Sequence, residues 1–265
     1  MAQPNSFIAV DIGNSRIKLG LFETTASAQL PEPVSCLTLD PEWRAPEIDA
    51  WLPPQAAQAT WHIASVNRPA TAQLLAYLDG RGINMAHQLT AADLPLRLAL
   101  EQPETVGIDR LLAAVAANAL RAPQRAAIIV DLGTAITVDL ISAEGVFCGG
   151  AILPGIAMSA RALDEFTDLV PLVPVSELAE PPPAVGNSTI AAVRSGLYWG
   201  AVGAVRELVR QLDRETSGAE LFLTGGTSPV VAELLLDRAG AAARWVPHLT
   251  LAGIALSLRA GTSSC

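Results

Sequence analysis

Cysteine is scarce and scattered: Cys36, Cys148 and Cys265 form no C-x-x-C pair and leave one over if any two join, so the pattern predicts reduced, structural thiols. The three histidines, His62, His87 and His248, gather at no metal-ligand spacing, and neither an H-E-x-x-H helix nor a G-x-x-x-x-G-K-[ST] phosphate loop occurs. Basic residues are also few, 17 against 26 acidic, for a formal charge of −9. No general field therefore draws nucleic acid or an anionic membrane to the chain. Long apolar runs are missing too. None reaches the roughly 18 residues of a membrane helix, and the N-terminal MAQPNSFIAV has no basic segment before its apolar stretch, which together predict a cytoplasmic protein. In so acidic a chain an anionic substrate must be held locally, by backbone N–H groups and bound cations.

What is present is apolar and ordered in pattern. Hydrophobic residues make up 51% of the 265 positions and charged residues 16%, enough to bury a proper core. The stretch VDIGNSRIKLGLF at 10–22 places an acidic turn between two short apolar strands, and VDLGTAITVDLI at 130–141 repeats the arrangement. The first hairpin is expected over 7–10 and 16–22 with Gly13-Asn14 at positive φ, the second over 127–130 and 136–141 around Gly133-Thr134. Between them lie a Pro-rich polar segment, Pro31 to Pro54, a strand at 61–66 and a helix near 70–78. RLLAAVAANALR at 110–121 reads as a helix stopped by Pro123, where the domain boundary is expected. A helix over 156–166 follows the second hairpin, then a Pro-rich loop and a long helix from Thr189 to about Arg214, capped by Ser188 or Thr189. A strand at 220–229 ends in LTGG, and a last α/β/α stretch runs to about residue 260. Strands alternating with helices predict α/β domains, placed at 1–121 and 122–265.

An Asp at a strand end, followed by a glycine and small polar residues, offers backbone N–H groups to phosphate oxygens and a carboxylate to a cation beside them. A single Asp11 or Asp131 would more simply stabilise its own turn. Duplication of the whole hairpin, together with LTGG at 223–226, favours the nucleotide reading. In VGIDRLLAAVAANAL at 106–120, Asp109 is explained well enough as a helix N-cap. Arg110 is less easily explained, because a cation in the first helical turn opposes the macrodipole unless an anion lies nearby.

These stretches, in order, resemble the type III pantothenate kinases of the actin-like superfamily of acetate and sugar kinases. DIGNS at 11–15 is similar to the family's first phosphate turn, GIDR at 107–110 to its substrate motif and DLGTAITVD at 131–139 to its second turn. GGAILPG at 149–155, GNSTIAAVRSGLYWG at 186–200 and LTGG at 223–226 complete the set. The resemblance implies two duplicated ribonuclease-H-like α/β domains with ATP in a cleft between them, and phosphorylation of pantothenate as the first step of coenzyme A biosynthesis. It implies that Asp11 holds Mg²⁺ through water and that Gly13, Asn14, Ser15, Arg16, Lys18, Gly133, Thr134, Gly225 and Gly226 serve ATP and its phosphates. Asp131 would hold a monovalent cation, K⁺ or NH₄⁺. Asp109 would be the catalytic base, with Gly107, Ile108, Arg110 and Thr189 binding pantothenate, often in a homodimer. Two positions depart from the family pattern on the pantothenate side: Leu100 stands where a Tyr is usual, and Phe166 where a basic residue precedes the position of Thr167. A nucleotide-binding regulator without phosphoryl transfer, or a kinase for another small alcohol, are the alternatives.

Overall fold

The computed structural model describes residues 6–23, 29–178, 180–216, 218–226 and 243–262. Its chain divides into two compact units, Met1–Leu120 with His248–Cys265, and Arg121–Pro247. The last helix packs with the first unit.

In the first unit, β1 (Ser6–Ile12) and β2 (Ile17–Glu23) form an antiparallel hairpin, β3 (Ser35–Leu39) extends it beyond β2, and β4 (Thr60–Ser65) and β5 (Ala86–Gln88) add in parallel beyond β1. The order is β3-β2-β1-β4-β5. Short α1 (Ala45–Trp51) and α2 (Arg68–Gly80) contribute Ile48, Leu74 and Leu78 to a core with Ile8, Val10, Trp61 and Ile63. Each such side chain contributes roughly 1.5–3 kcal/mol on full burial. The Pro31–Pro54 segment therefore holds a strand and a helix, which its proline content masked. A two-residue strand, β6 (Arg97–Leu98), precedes α3 (Ile108–Leu120). The last helix, α6 (Leu249–Thr262), lies against α3 so closely that a Cβ on Gly253 would run into the backbone of Leu112.

The second unit repeats the plan. β7 (Ala127–Leu132), β8 (Ala135–Ile141) and β9 (Val146–Pro154) form an antiparallel meander, and β10 (Glu220–Gly225) and β11 (Ala243–Trp245) continue in parallel beyond β7. Read outward from the hairpin, β9-β8-β7-β10-β11 has the same order and directions as β3-β2-β1-β4-β5. This is a duplicated ribonuclease-H-like fold. The α4 (Ile156–Glu165) and α5 (Thr189–Thr216) helices cover one face, where Val193, Tyr198 and Val202 pack on Ile128, Val130, Val138 and Leu223. The predicted cap is present: Ser188 Oγ accepts from Ala191 N–H at 3.2 Å.

The turn expected for the first hairpin is not found. Positive φ falls at neither Gly13 nor Asn14, because the turn is a four-residue loop, 13–16, between paired Ile12 and Ile17, rather than a two-residue hairpin turn. It closes by Gly13 N–H donating to Arg16 O at 3.0 Å. The second turn is one residue shorter, spanning 133–135 between Leu132 and Ile136.

Candidate active site

The first-unit site is built at the end of β1. Asp11 pairs in register with Lys18 across the hairpin, and Asn14, Ser15 and Arg16 are exposed at its tip. Gly13 is tightly packed in the turn: a Cβ there would stand 3.2 Å from Arg16 O. Since the Gly13 N–H is consumed inside the turn, outward donors must come from the peptides that follow. Lys18 also acts on its neighbours. Burial first, and then the Lys18 charge, hold His248 at the head of α6 below its ordinary pKa. Burial raises the Cys36 thiol, with Lys18 opposing. Cys36 and Cys148 are both exposed and unpaired; Cys265 lies outside the described residues.

The Gly107–Arg110 motif lies in the same unit. The α3 helix begins at Ile108, so Asp109 sits inside the first turn rather than capping it, and its Oδ1 accepts from Arg110 N–H at 2.9 Å. Gly107 leaves room for that carboxylate: a Cβ at Gly107 would lie 2.5 Å from Asp109 Oδ1 and 3.4 Å from Val66 Cγ1. Val66 N–H donates to Ile12 O at 3.0 Å, so one connector, 65–67, touches both the Asp11 turn and the Gly107–Arg110 motif. Sequence reading missed Val66 and Asn67, although Asn67-Arg68-Pro69 is a helix-start signal.

In the second unit Asp131, Gly133, Thr134 and Gly225 come together. The β10 strand pairs with β7 so that Thr224 faces Asp131, and a Cβ on Gly225 would lie 2.7 Å from Asp131 Oδ1 and 2.6 Å from the Leu132 backbone. Its φ of +115° also favours glycine. Gly226 directly follows the strand. Gly155, the last residue of GGAILPG, donates its N–H to Thr134 O at 3.0 Å and fixes the start of α4 against this turn. Thr189, the exposed first residue of α5, lies on a groove of about 1030 Å³ between α4 and α5, lined by Met158, Leu163, Phe166 and Thr167 among others. Phe166 is 79% exposed there. Among the described residues no three His, Cys, Asp or Glu side chains form a metal cage. The donors fit a hard cation bound through one carboxylate and phosphate oxygens, the manner of Mg²⁺.

A model of the type III pantothenate kinases matches residues 7–211. The chain belongs to the type III pantothenate kinase family. A type III pantothenate kinase of Rhodopirellula baltica is 34% identical over 91% of this chain and 94% of its own length, and one of Thermus thermophilus 33% identical over 86% and 90%. One from Dehalococcoides mccartyi reaches 42%, but over 52% of this chain and 51% of its own length, so the chain spans about half of that relative. Among solved structures, a putative 2-dehydro-3-deoxygalactonokinase of Sinorhizobium meliloti superposes with a TM-score of 0.59 at 15% identity, covering 96% of this chain and 98% of that one. Acetate kinase of Porphyromonas gingivalis gives 0.53 at 10%, covering 96% and 99%. The type III family thus sits on the actin-like kinase fold in this chain.

Proposed function

We propose that this chain phosphorylates pantothenate at the expense of ATP, giving 4′-phosphopantothenate, the first step of coenzyme A biosynthesis. The observation that carries the reading is the 65–67 connector, which lies against both the end of β1 that bears Asp11 and Gly107, two residues before Asp109, within one unit. Asp109 accepts the proton of the pantothenate primary hydroxyl as that oxygen attacks the γ-phosphorus in line and ADP departs. Arg110 meets the pantothenate carboxylate, Gly107 and Ile108 shape the approach, and Thr189 is assigned to pantothenate by its match to the family motif. Asp11 holds Mg²⁺ through water, the peptides around Asn14 and Ser15 with Arg16 and Lys18 receive phosphate oxygens, and Gly133, Thr134, Gly225 and Gly226 serve the nucleotide in the second unit. Mg²⁺ supplies charge neutralisation; positioning of the two reactants supplies most of the rest. Asp131 holds a monovalent cation, K⁺ or NH₄⁺.

The chain acts in the cytoplasm as a homodimer. The exposed apolar side chains Met158, Phe166 and Leu169 are the kind of surface a second copy covers. The test is ADP release with Mg²⁺ and K⁺, with and without pantothenate. Release that requires pantothenate supports the reading. Release without it, or with other small alcohols in preference, refutes it.

A further inference from the structure

The connector between β4 and α2 is a closed set of hydrogen bonds. Ser65 Oγ accepts from Asn67 N–H at 3.0 Å and from the buried Thr71 hydroxyl at 2.6 Å. The Asn67 side-chain oxygen accepts from Ala70 N–H at 3.2 Å and caps α2. That leaves the Asn67 amide, whose Nδ2 donates to Gly13 O at 3.5 Å across 54 positions of sequence. The cap and the amide are the two ends of one planar group. Fixing the oxygen on the helix therefore aims the nitrogen at the turn.

This bond has a consequence for the next peptide. The Gly13 carbonyl and the Asn14 N–H belong to one planar trans peptide and point in opposite directions. A donor that holds Gly13 O inward turns Asn14 N–H outward, toward solvent and any anion at the tip. The Gly13 N–H cannot serve there, because it closes the turn on Arg16 O. We infer that Asn67 is a positioning residue for nucleotide phosphate: its amide orients the Gly13–Asn14 peptide so that Asn14 N–H faces a phosphate oxygen. The inference rests on the phosphate role proposed above for the Asp11–Ser15 turn.

The test uses Asn67→Ser and Asn67→Asp in the full chain. Serine and aspartate are both good N-caps, so α2 keeps its start in either variant, while neither side chain donates an amide hydrogen to Gly13 O. Titration with a non-hydrolysable ATP analogue and Mg²⁺ is expected to show binding weakened about threefold to tenfold in Asn67→Ser, the range for one lost hydrogen bond. Asn67→Asp is expected to lose more, because its carboxylate also repels phosphate. The ATP KM should rise in step with the weakened binding while the pantothenate KM stays within about twofold of wild type, and the melting temperature should hold. A purely structural cap predicts the opposite pattern, unchanged nucleotide affinity in both variants, and that result overturns the inference. Nucleotide affinity that falls only in step with melting temperature also overturns it. Failure of the wild type itself to bind the analogue would refute the phosphate role of the turn, a result separable from equal binding by wild type and variants.

Discussion

Replacing Gly107 by alanine puts one methyl group against the proposed base. The new Cβ would lie 2.5 Å from Asp109 Oδ1, against about 3.4 Å for ordinary contact, so the carboxylate must move by roughly 1 Å. Gly107 does not have positive φ, and its other neighbour, Val66 Cγ1 at 3.4 Å, already sits at contact distance, so the backbone can accept alanine. The end of a side chain is displaced, and the fold is left alone. Misplacing a reacting group by about 1 Å costs on the order of a hundredfold in rate. Gly107→Ala is thus expected to lower kcat about a hundredfold in a steady-state ADP-release assay, with ATP KM within about twofold and a melting temperature near that of wild type. A matched control is Gly253→Ala, where the added methyl meets the Leu112 backbone and the expected loss is in stability. Wild-type turnover in Gly107→Ala would show that the position of the Asp109 carboxylate does not govern the reaction.

Other outcomes follow from the same residues. Asp109→Asn keeps an oxygen for Arg110 N–H but cannot take a proton, and is expected to lower kcat a hundredfold or more with nucleotide binding intact by titration. Exchanging K⁺ for Na⁺ should slow the wild-type reaction sharply; equal rates would remove the cation role given to Asp131. Leu100→Tyr should lower the pantothenate KM, and Arg110→Ala should raise it more than tenfold, each with little change for ATP, as steady-state kinetics would show. Burial, and then the neighbouring His87, hold His62 down to about 4, below its ordinary 6.5. The unfolded chain therefore binds the extra proton first, and the stability His62 provides is complete above pH 6.5 and lost as pH falls toward 4. Melting scans across that window should show a decline that His62→Gln flattens.

Much of this arrangement is legible in the sequence, because each acidic turn lies between short strands marked by β-branched and apolar residues. The 28-residue α5 was readable as well: its apolar period is long and Ser188 announces its start. The Pro31–Pro54 segment was not, since β3 is five residues long and takes its stability from β2 alongside rather than from its own composition. The positive φ expected at Gly13-Asn14 assumed a two-residue turn, whereas loop length is set by the pairing of Ile12 with Ile17, which is a tertiary fact. Val66 and Asn67 carry no chemistry that stands out in one dimension. Their importance lies in what the parallel β1–β4 pairing sets beside them: the Gly13 turn on one side and Gly107 on the other.

The most direct test of the central claim is mass spectrometry of the product formed from ATP, Mg²⁺, K⁺ and pantothenate by the wild-type chain and by Asp109→Asn. The account predicts pantothenate carrying one phosphoryl group on its primary hydroxyl, in amounts equal to the ADP released, with the wild type and only in trace with the variant. Undiminished product from Asp109→Asn, or ADP released by the wild type without phosphorylated pantothenate, would contradict it.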